Sequence, residues 1–384
     1  MSKNPKPVTG RSPMRQRGAT LIELMVGIVI ALMAVLLITQ VLAIAEGQKR
    51  TATEGADAQT NGALALYTVQ RDVQGAGYGI VNTVMAAMGC PVRAQFGGVN
   101  FNFNLNPVTV VDGGVDGTGA ALPDRVSFNA TNKAGVSGTR VTVDHPPQAA
   151  NFFVQSALGV SAGDMMVAVP ATYDGTNWCT MFNVSNDPGT GQGQGQGQGL
   201  NQVIHNSGAN GGWNQPGGQN IMPAGGYPAG STVINLGNWI NREYAINANR
   251  ALQLTELISA TATASTTELF PQIVNLQALY GKDTDGDGDI DVFDTATPTT
   301  NAGWRQVIAV RIAVVARSAQ FEREDVTATQ PAWDLGAAPA VTGAAACGAS
   351  QCITVRVNDL SDWRRYRYKL FDVVVPLRNV MWGM

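Results

Sequence analysis

Residues 17–45 read RGATLIELMVGIVIALMAVLLITQVLAIA, and the organisation of the whole chain follows from them. After Gly18 the segment is apolar for about one membrane thickness, with Glu23 as its single carboxylate. A hydrocarbon core of roughly 30 Å takes about 20 apolar residues at helical rise, so residues 19–45 predict one membrane-spanning helix. Residues 1–18 carry Lys3, Lys6, Arg11, Arg15 and Arg17 and no acid. That imbalance keeps the N-terminus cytoplasmic and exports the rest. An ordinary secretory signal has a shorter apolar region with its small-residue cleavage site behind it. Here the small residue, Gly18, stands in front, so a cut there leaves the apolar helix on the mature chain. A lone carboxylate near the start of a membrane helix costs roughly 2.5–3.5 kcal/mol when buried unpaired. Glu23 therefore calls for a partner.

The run Gly18-Ala19-Thr20-Leu21-Ile22-Glu23-Leu24 resembles the processing site of type IV prepilins, with Glu23 at that family's hallmark carboxylate. The resemblance implies cleavage between Gly18 and Ala19 by a prepilin peptidase and methylation of the new amine. It also implies that Glu23 meets the N-terminal ammonium of a neighbouring subunit as helices bundle in a filament. Ala19 stands where most members have Phe. A plain single-span anchor, the alternative, has no need of a cut site and a fixed carboxylate together.

Charged residues are only 14% of the 384, against roughly 25% in average globular proteins. Low charge with 44 glycines suits an exported, β-rich, loop-rich body. The net charge of −3 argues against nucleic acid as the main partner. Four cysteines, Cys90, Cys179, Cys347 and Cys352, make an even count in an exported chain and read as two disulfides. Three pairings are open. The short CGASQC loop favours Cys347–Cys352, leaving Cys90–Cys179. Zinc fits poorly, since the spacings are wrong and His145 and His205 are the only histidines.

Beyond the membrane the helix is expected to continue over 46–79. No proline interrupts 46–75, and Leu64, Tyr67 and Val73 suggest an apolar stripe. Gly47, Gly55 and Gly62 weaken it by up to about 1 kcal/mol each, and the GAGYG run at 75–79 ends it. From 20 to 74 such a helix would be on the order of 80 Å long. Residues 80–185 mix short alternating runs, such as 125–129 and 140–143, with turn residues. Residues 186–226 hold 13 glycines, including the GQGQGQGQG run, and read as a mobile surface insertion. Strands resume at 231–246. The clearest is 306–316, where Ile308, Val310, Ile312 and Val314 share a face for the helix and Arg311 points away. Residues 353–357 and 366–375 supply the last strands.

A second motif runs from Asp283 to Asp294. It matches a twelve-residue calcium loop: Asp283, Asp285 and Asp287 at places one, three and five, Gly288 at six, Ile290 at eight, Asp291 at nine and Asp294 at twelve. Asp289 would ligate through its backbone carbonyl and Asp291 directly or through water. Asp replaces the usual Glu at the twelfth place, and the flanks lack clear helices. The expected ion is structural Ca2+, stiffening a loop. No nucleophile–base set stands out that would make the chain an enzyme.

The Leu276–Gly281 run with DTDGDGD behind it, the 307–318 strand ending Ala316-Arg317-Ser318, Trp363-Arg364-Arg365-Tyr366-Arg367 and Val375-Pro376-Leu377-Arg378-Asn379 together resemble minor pilins of the PilW family. That resemblance implies an α+β pilin-like fold, a long N-terminal helix on an antiparallel sheet with loop-rich insertions over 80–384. It implies a role in priming type IV pilus assembly with other minor pilins, the major pilin and a large tip adhesin. The expected location is the inner membrane, with the body in the periplasm and then on the surface pilus. The rivals are a type II secretion pseudopilin (GspJ-like), which shares the helix and cut site, and a DNA-uptake pilin. The latter would use the basic aromatic run at 363–369, which reads more simply as a strand with one solvated face.

Overall fold

The structure is a computed structural model and describes residues 18, 20–81, 88–133, 138–173, 175–189, 200–207, 212–214 and 221–381. Residues 1–17 of the expected leader, Ala19 and the GQGQ run lie outside the described residues. One continuous helix spans Leu21–Gln74, and the chain divides into two compact units, Met1–Glu54 and Gly55–Met384.

In the first unit the helix is apolar through Glu46 and long enough to cross a membrane, the one such helix among the described residues. Its large apolar side chains from Leu21 to Ile44 are all exposed. Such a helix is stable in a medium that is itself apolar, where its backbone bonds are satisfied internally.

In the second unit the helix turns a stripe of small and branched apolar residues inward: Ala58, Gly62, Ala65, Leu66, Val69 and Val73. The expected stripe was misplaced. Val73 belongs to it, but Leu64 and Tyr67 are exposed at 47% and 59%. The reason is visible at Gly62. A Cβ there would lie 2.2 Å from the Phe371 ring and 3.0 Å from the Ala316 Cβ, so the face with the smallest residues is the one that fits. The helix ends at the Gly75–Gly79 turn, where Gly77 and Gly79 take positive φ and the Gly77 N–H bonds the Asn129 carbonyl.

The helix lies on a five-stranded sheet ordered Ala340–Val341, Val292–Asp294, Ile273–Lys282, Val307–Arg317, Tyr368–Pro376. All its pairings are antiparallel except the first. Both faces of its middle are covered, which explains the nearly unbroken apolar run of Val307–Arg317. Val307, Val310, Ile312, Val314 and Ala316 join the helix core, while Ala313 and Val315 join a second core with Trp333, Val355 and Val357. The expected helix-facing set is corrected at Ile308: a register shift, with Gly281 opposite Ala309 and Lys282 opposite Val307, takes Ile308 off that face. Ile308 is still buried. Arg311 points away as expected and bonds Asp372 at 2.8 Å.

A second five-stranded sheet (Thr263–Pro271, Ala251–Ile258, Ile240–Ile246, Arg125–Ala130, Val108–Val111) adds Val108, Val110, Val126, Phe128, Tyr244 and Leu252 to the helix core. A six-stranded sheet from Val99–Asn104 to Gly138–Arg140 carries a core on each face. Cys90–Cys179 ties it, and Cys347–Cys352 closes the hairpin of Ala345–Cys347 and Ser350–Thr354. Both expected pairings are present in this α+β architecture.

Two expectations fail here. Parts of 186–226 are core: Gln202–Ile204 is a strand, and Val203, Trp213, Ile221 and Met222 are buried. Counting glycines hid these anchors. In the 363–369 run, Trp363–Arg365 forms a 3₁₀ turn and the strand begins at Tyr368.

Gly62→Val should destabilise the second unit by about 1–3 kcal/mol, the range for overpacking a closed site. Gly55→Ala, whose Cβ would meet nothing within 4 Å, should be neutral or stabilising by up to about 1 kcal/mol. Denaturant titration of the full chain in detergent checks both.

Candidate functional site

The processing and assembly residues sit at the start of the long helix. Gly18 is exposed and precedes Thr20, the residue in front of the first helical turn. The Glu23 N–H donates to Thr20 Oγ1 at 3.2 Å, and Glu23 Oε2 accepts from the Thr20 N–H at 3.4 Å. Thr20-x-x-Glu23 is thus a reciprocal capping box, a pattern that was legible in the sequence and missed. A carboxylate in the first turn also faces the positive end of the helix. Glu23 thus has a local partner in this chain, at an exposed helix end.

Farther along, Asp72 fastens the helix to the second sheet. Its Oδ2 accepts from Tyr244 Oη at 2.6 Å and Arg242 Nη1 at 3.0 Å, and Arg242 Nε donates to Glu256 at 2.9 Å. Burial and the Asp72 bond push the Tyr244 phenol up. Nothing in the spacing of Asp72 and residues 242–256 announces this contact, since sheet pairing brings them together.

The aspartate loop joins the strands Ile273–Lys282 and Val292–Asp294, so it is a hairpin loop and not a helix–loop–helix. Ligand oxygens of Asp283, Asp285 and Asp287 all lie within 4.8 Å of one another. Asp283 is buried, and its two oxygens accept from the Gly286 N–H at 2.6 Å and the Gly288 N–H at 2.9 Å. Both glycines take positive φ, 85° and 94°, which a side chain would disfavour. The Asp287 amide bond pulls the Asp285 carboxyl down, but the charges of Asp287, Asp291 and Asp283 outweigh it and leave that carboxyl above its ordinary value.

The outer expected ligands are placed differently. Asp291 Oδ2 accepts from Thr284 Oγ1 and the Thr284 N–H, both at 2.6 Å, and these bonds lower its pKa. Asp289 is exposed, and its N–H bonds Asp287 Oδ1. Asp294 lies in the strand opposite Tyr280, held by Lys282 Nζ at 2.7 and 2.9 Å. The strand pairing thus turns this expected twelfth-place ligand toward Lys282. A second group, Asp334 with Cys347 and Cys352, offers no thiolate because both cysteines are disulfide-bonded.

Comparison with known families now bears on these sites. Residues 239–379 match the family of type IV pilus-assembly protein W (PilW), and residues 13–39 match the prokaryotic N-terminal methylation motif. Together the two matches support a PilW-like type IV pilin. No curated protein and no solved structure matches it. The PilW-like region includes the aspartate loop, the sheet under the helix and the Cys347–Cys352 hairpin, while the methylation motif covers Gly18 to Glu23. Both families are structural parts of pili and not enzymes, which supports a minor pilin role and anchoring by the single N-terminal span.

The PilW-like chain also buries its two histidines together, outside both matched segments. His145 Nε2 and His205 Nε2 are 2.9 Å apart, and His145 stacks on Phe152 at 3.6 Å. Burial lowers His145 to about 4 and His205 to about 3. One neutral ring donates to the other. Because the folded values lie below the ordinary 6.5, this pair costs no stability above that pH. The loss grows as pH falls from 6.5 toward about 4, by up to about 1.4 kcal/mol per pH unit for each histidine. Denaturation midpoints of the full chain from pH 7.5 to 4.5 should fall, and the slope should flatten in His145→Gln with His205→Gln.

Proposed function

We propose that this PilW-like chain is a minor pilin that primes type IV pilus assembly at or near the filament tip. Its partners on this reading are other minor pilins, the major pilin, a large tip adhesin and, before assembly, a prepilin peptidase that cuts between Gly18 and Ala19. The body then stands in the periplasm and later on the cell surface. One observation carries the reading: a single chain joins the methylation motif, on a helix that begins at the Thr20–Glu23 box, to a PilW-type sheet that seats the same helix. The DNA-uptake alternative is weakened by the state of its arginines. Arg367 bonds Glu322 at 2.9 Å, Arg365 lies 3.8 Å from Asp325, and Arg364 rests over the Trp363 ring.

The test is a deletion strain scored for surface pili. Loss of pili, restored by the intact gene, is expected; full piliation in the deletion strain overturns the reading. Glu23→Val and Glu23→Gln should both fail to restore pili. Gln keeps an oxygen for the Thr20 cap but no charge, so restoration by Gln alone would assign Glu23 to starting the helix rather than to a neighbour's amine.

We further propose that the 283–294 hairpin loop holds one structural calcium ion, with Asp283, Asp285 and Asp287 as side-chain ligands. The support is their convergence within 4.8 Å, with glycine at the sharp turns. Calcium takes six to eight oxygens, so the Asp289 carbonyl, Asp291 and water would complete the shell. An ion that binds only the folded chain, at about a hundred times Kd, contributes roughly 2.7 kcal/mol. Melting of the full chain in detergent should rise in calcium over chelator, and Asp283→Ala with Asp287→Ala should remove the difference. Equal melting of the unmutated chain in both would leave only an acidic turn.

A further inference from the structure

Val99–Asn104 is an outer strand of the six-stranded sheet. It pairs along its whole length with Pro91–Phe96, from Phe96 opposite Val99 to Pro91 opposite Asn104, with no register shift. The connecting turn is Gly97-Gly98, both at positive φ (55° and 89°), the two-residue hairpin that holds such a pair in register. No strand pairs with its other edge among the described residues.

Exposed edges invite further strands, and exported proteins blunt them with charge, proline, bulges or shortness. The other outer strands of the large sheets are blunted in these ways. Thr263–Pro271 carries Glu268, Pro271 and a register shift with its neighbour; Tyr368–Pro376 carries Lys369, Asp372 and Pro376. Gly138–Arg140 is three residues ending in a charge, Ala340–Val341 is two, and Val108–Val111 is four. Val99–Asn104 has six residues and none of these devices.

Its sequence adds a second observation. Asn100-Phe101-Asn102-Phe103-Asn104 reads the same in both directions about Asn102. The three asparagines are exposed. Phe101 and Phe103, on the other face, are half-buried beside Trp213 and Trp239 at 5.2 and 4.5 Å. An antiparallel copy centred on Asn102 sets Asn102 opposite Asn102, Phe101 opposite Phe103 and Asn100 opposite Asn104. Phenylalanine then meets phenylalanine on the core side all along the seam. A slip of one residue would turn the added phenylalanines to the solvent face, and a slip of two would set Phe103 opposite Val99 or Phe101 opposite Leu105, so only the register about Asn102 pairs both phenylalanines of each copy with phenylalanine.

We propose that this edge is a self-association surface. Two copies of the chain pair antiparallel through Val99–Asn104 about Asn102, joining their six-stranded sheets into one. The contact is isologous, each copy offering the same strand to the other.

Cysteine cross-linking of the full chain in detergent tests it. All four native cysteines are in disulfides, so an introduced thiol is the only free one. Residues directly opposite in antiparallel strands have Cα atoms about 4.5–5.5 Å apart, within the range a disulfide spans. Asn102→Cys should therefore give a linked dimer under mild oxidation, several-fold more than Asn100→Cys alone. Asn100→Cys combined with Asn104→Cys should restore the link. Asn102→Lys and Asn102→Glu each set like charges opposite each other across the seam, and Glu faces Arg93 on the neighbouring strand of its own chain without repulsion, so both should shift the chain to monomer in light scattering. Equal linking at 100 and 102, or the same mass for both charged variants and the unmutated chain, overturns the proposal. So does a link from Asn102→Cys to a chain of different mass in cells, which would give the edge to another protein's strand.

Discussion

The second unit depends on how closely its helix can approach the sheet. Ala58, Gly62 and Ala65 leave the backbone almost bare on one face, and the Phe371 ring occupies the space a side chain at Gly62 would need. This segment is a poor helix by propensity, since each glycine costs up to about 1 kcal/mol against alanine. In proteins most helical stability comes from packing an amphipathic face rather than from propensity. The same small residues that weaken the helix in isolation let Leu66, Val69 and Val73 share one core with Val310, Ile312 and Val314. Each such side chain, fully buried, contributes roughly 1.5–3 kcal/mol of transfer free energy.

Apolar packing of a helix on a sheet is tolerant of sliding, and a polar contact limits that freedom. Asp72 accepts two hydrogen bonds from Arg242 and Tyr244 at the edge of the same core. A carboxylate there is acceptable only while those donors are in place, because an orphaned charge costs far more than the pair gains. The bond lengths leave little room for axial movement. Gly62 sets the distance of the helix from one sheet and Asp72 sets its position against another, so the helix carries two constraints from two sheets.

What was legible from sequence follows the range of the interactions. The helix of membrane length, the methylation motif and the aspartate spacing are local patterns, and the strand at 307–317 announces itself by apolar density. The helix stripe was misread because Leu64 and Tyr67 are larger than Ala65 and Gly62, and apolar size was mistaken for burial. At that face the deciding quantity is the room left by Phe371, which lies more than three hundred residues away. The 186–226 segment was misread for a related reason. Its composition is that of a flexible chain, yet Trp213, Ile221 and Met222 are single anchors that fill cores built by distant strands. The capping box at Thr20–Glu23 is also local, a Thr-x-x-Glu pattern legible in the sequence.

Asp294 bears on what kind of calcium site the loop can be. Lys282 holds it in a bidentate contact, and the two side chains are only 13% and 15% exposed. For calcium to recruit Asp294 as a twelfth-place ligand, the Lys282 ammonium would lose its only anionic partner and keep just the Ala296 carbonyl at 2.9 Å, while remaining largely buried. Breaking a buried ion pair in that way is strongly unfavourable. The hairpin pairing of Tyr280 with Asp294 opposes the movement as well. On the calcium reading, the ion is then held from one side, by Asp283, Asp285 and Asp287, with carbonyl and water oxygens filling the rest. Fewer charged ligands and a missing bidentate carboxylate give weaker binding, toward the roughly 10⁻⁴–10⁻³ M of extracellular modules rather than the tighter range of cytosolic sensors. Such a site fills outside the cell and empties inside it. On that reading Lys282, by keeping Asp294 for itself, would fit the loop to stiffening the subunit rather than to signalling.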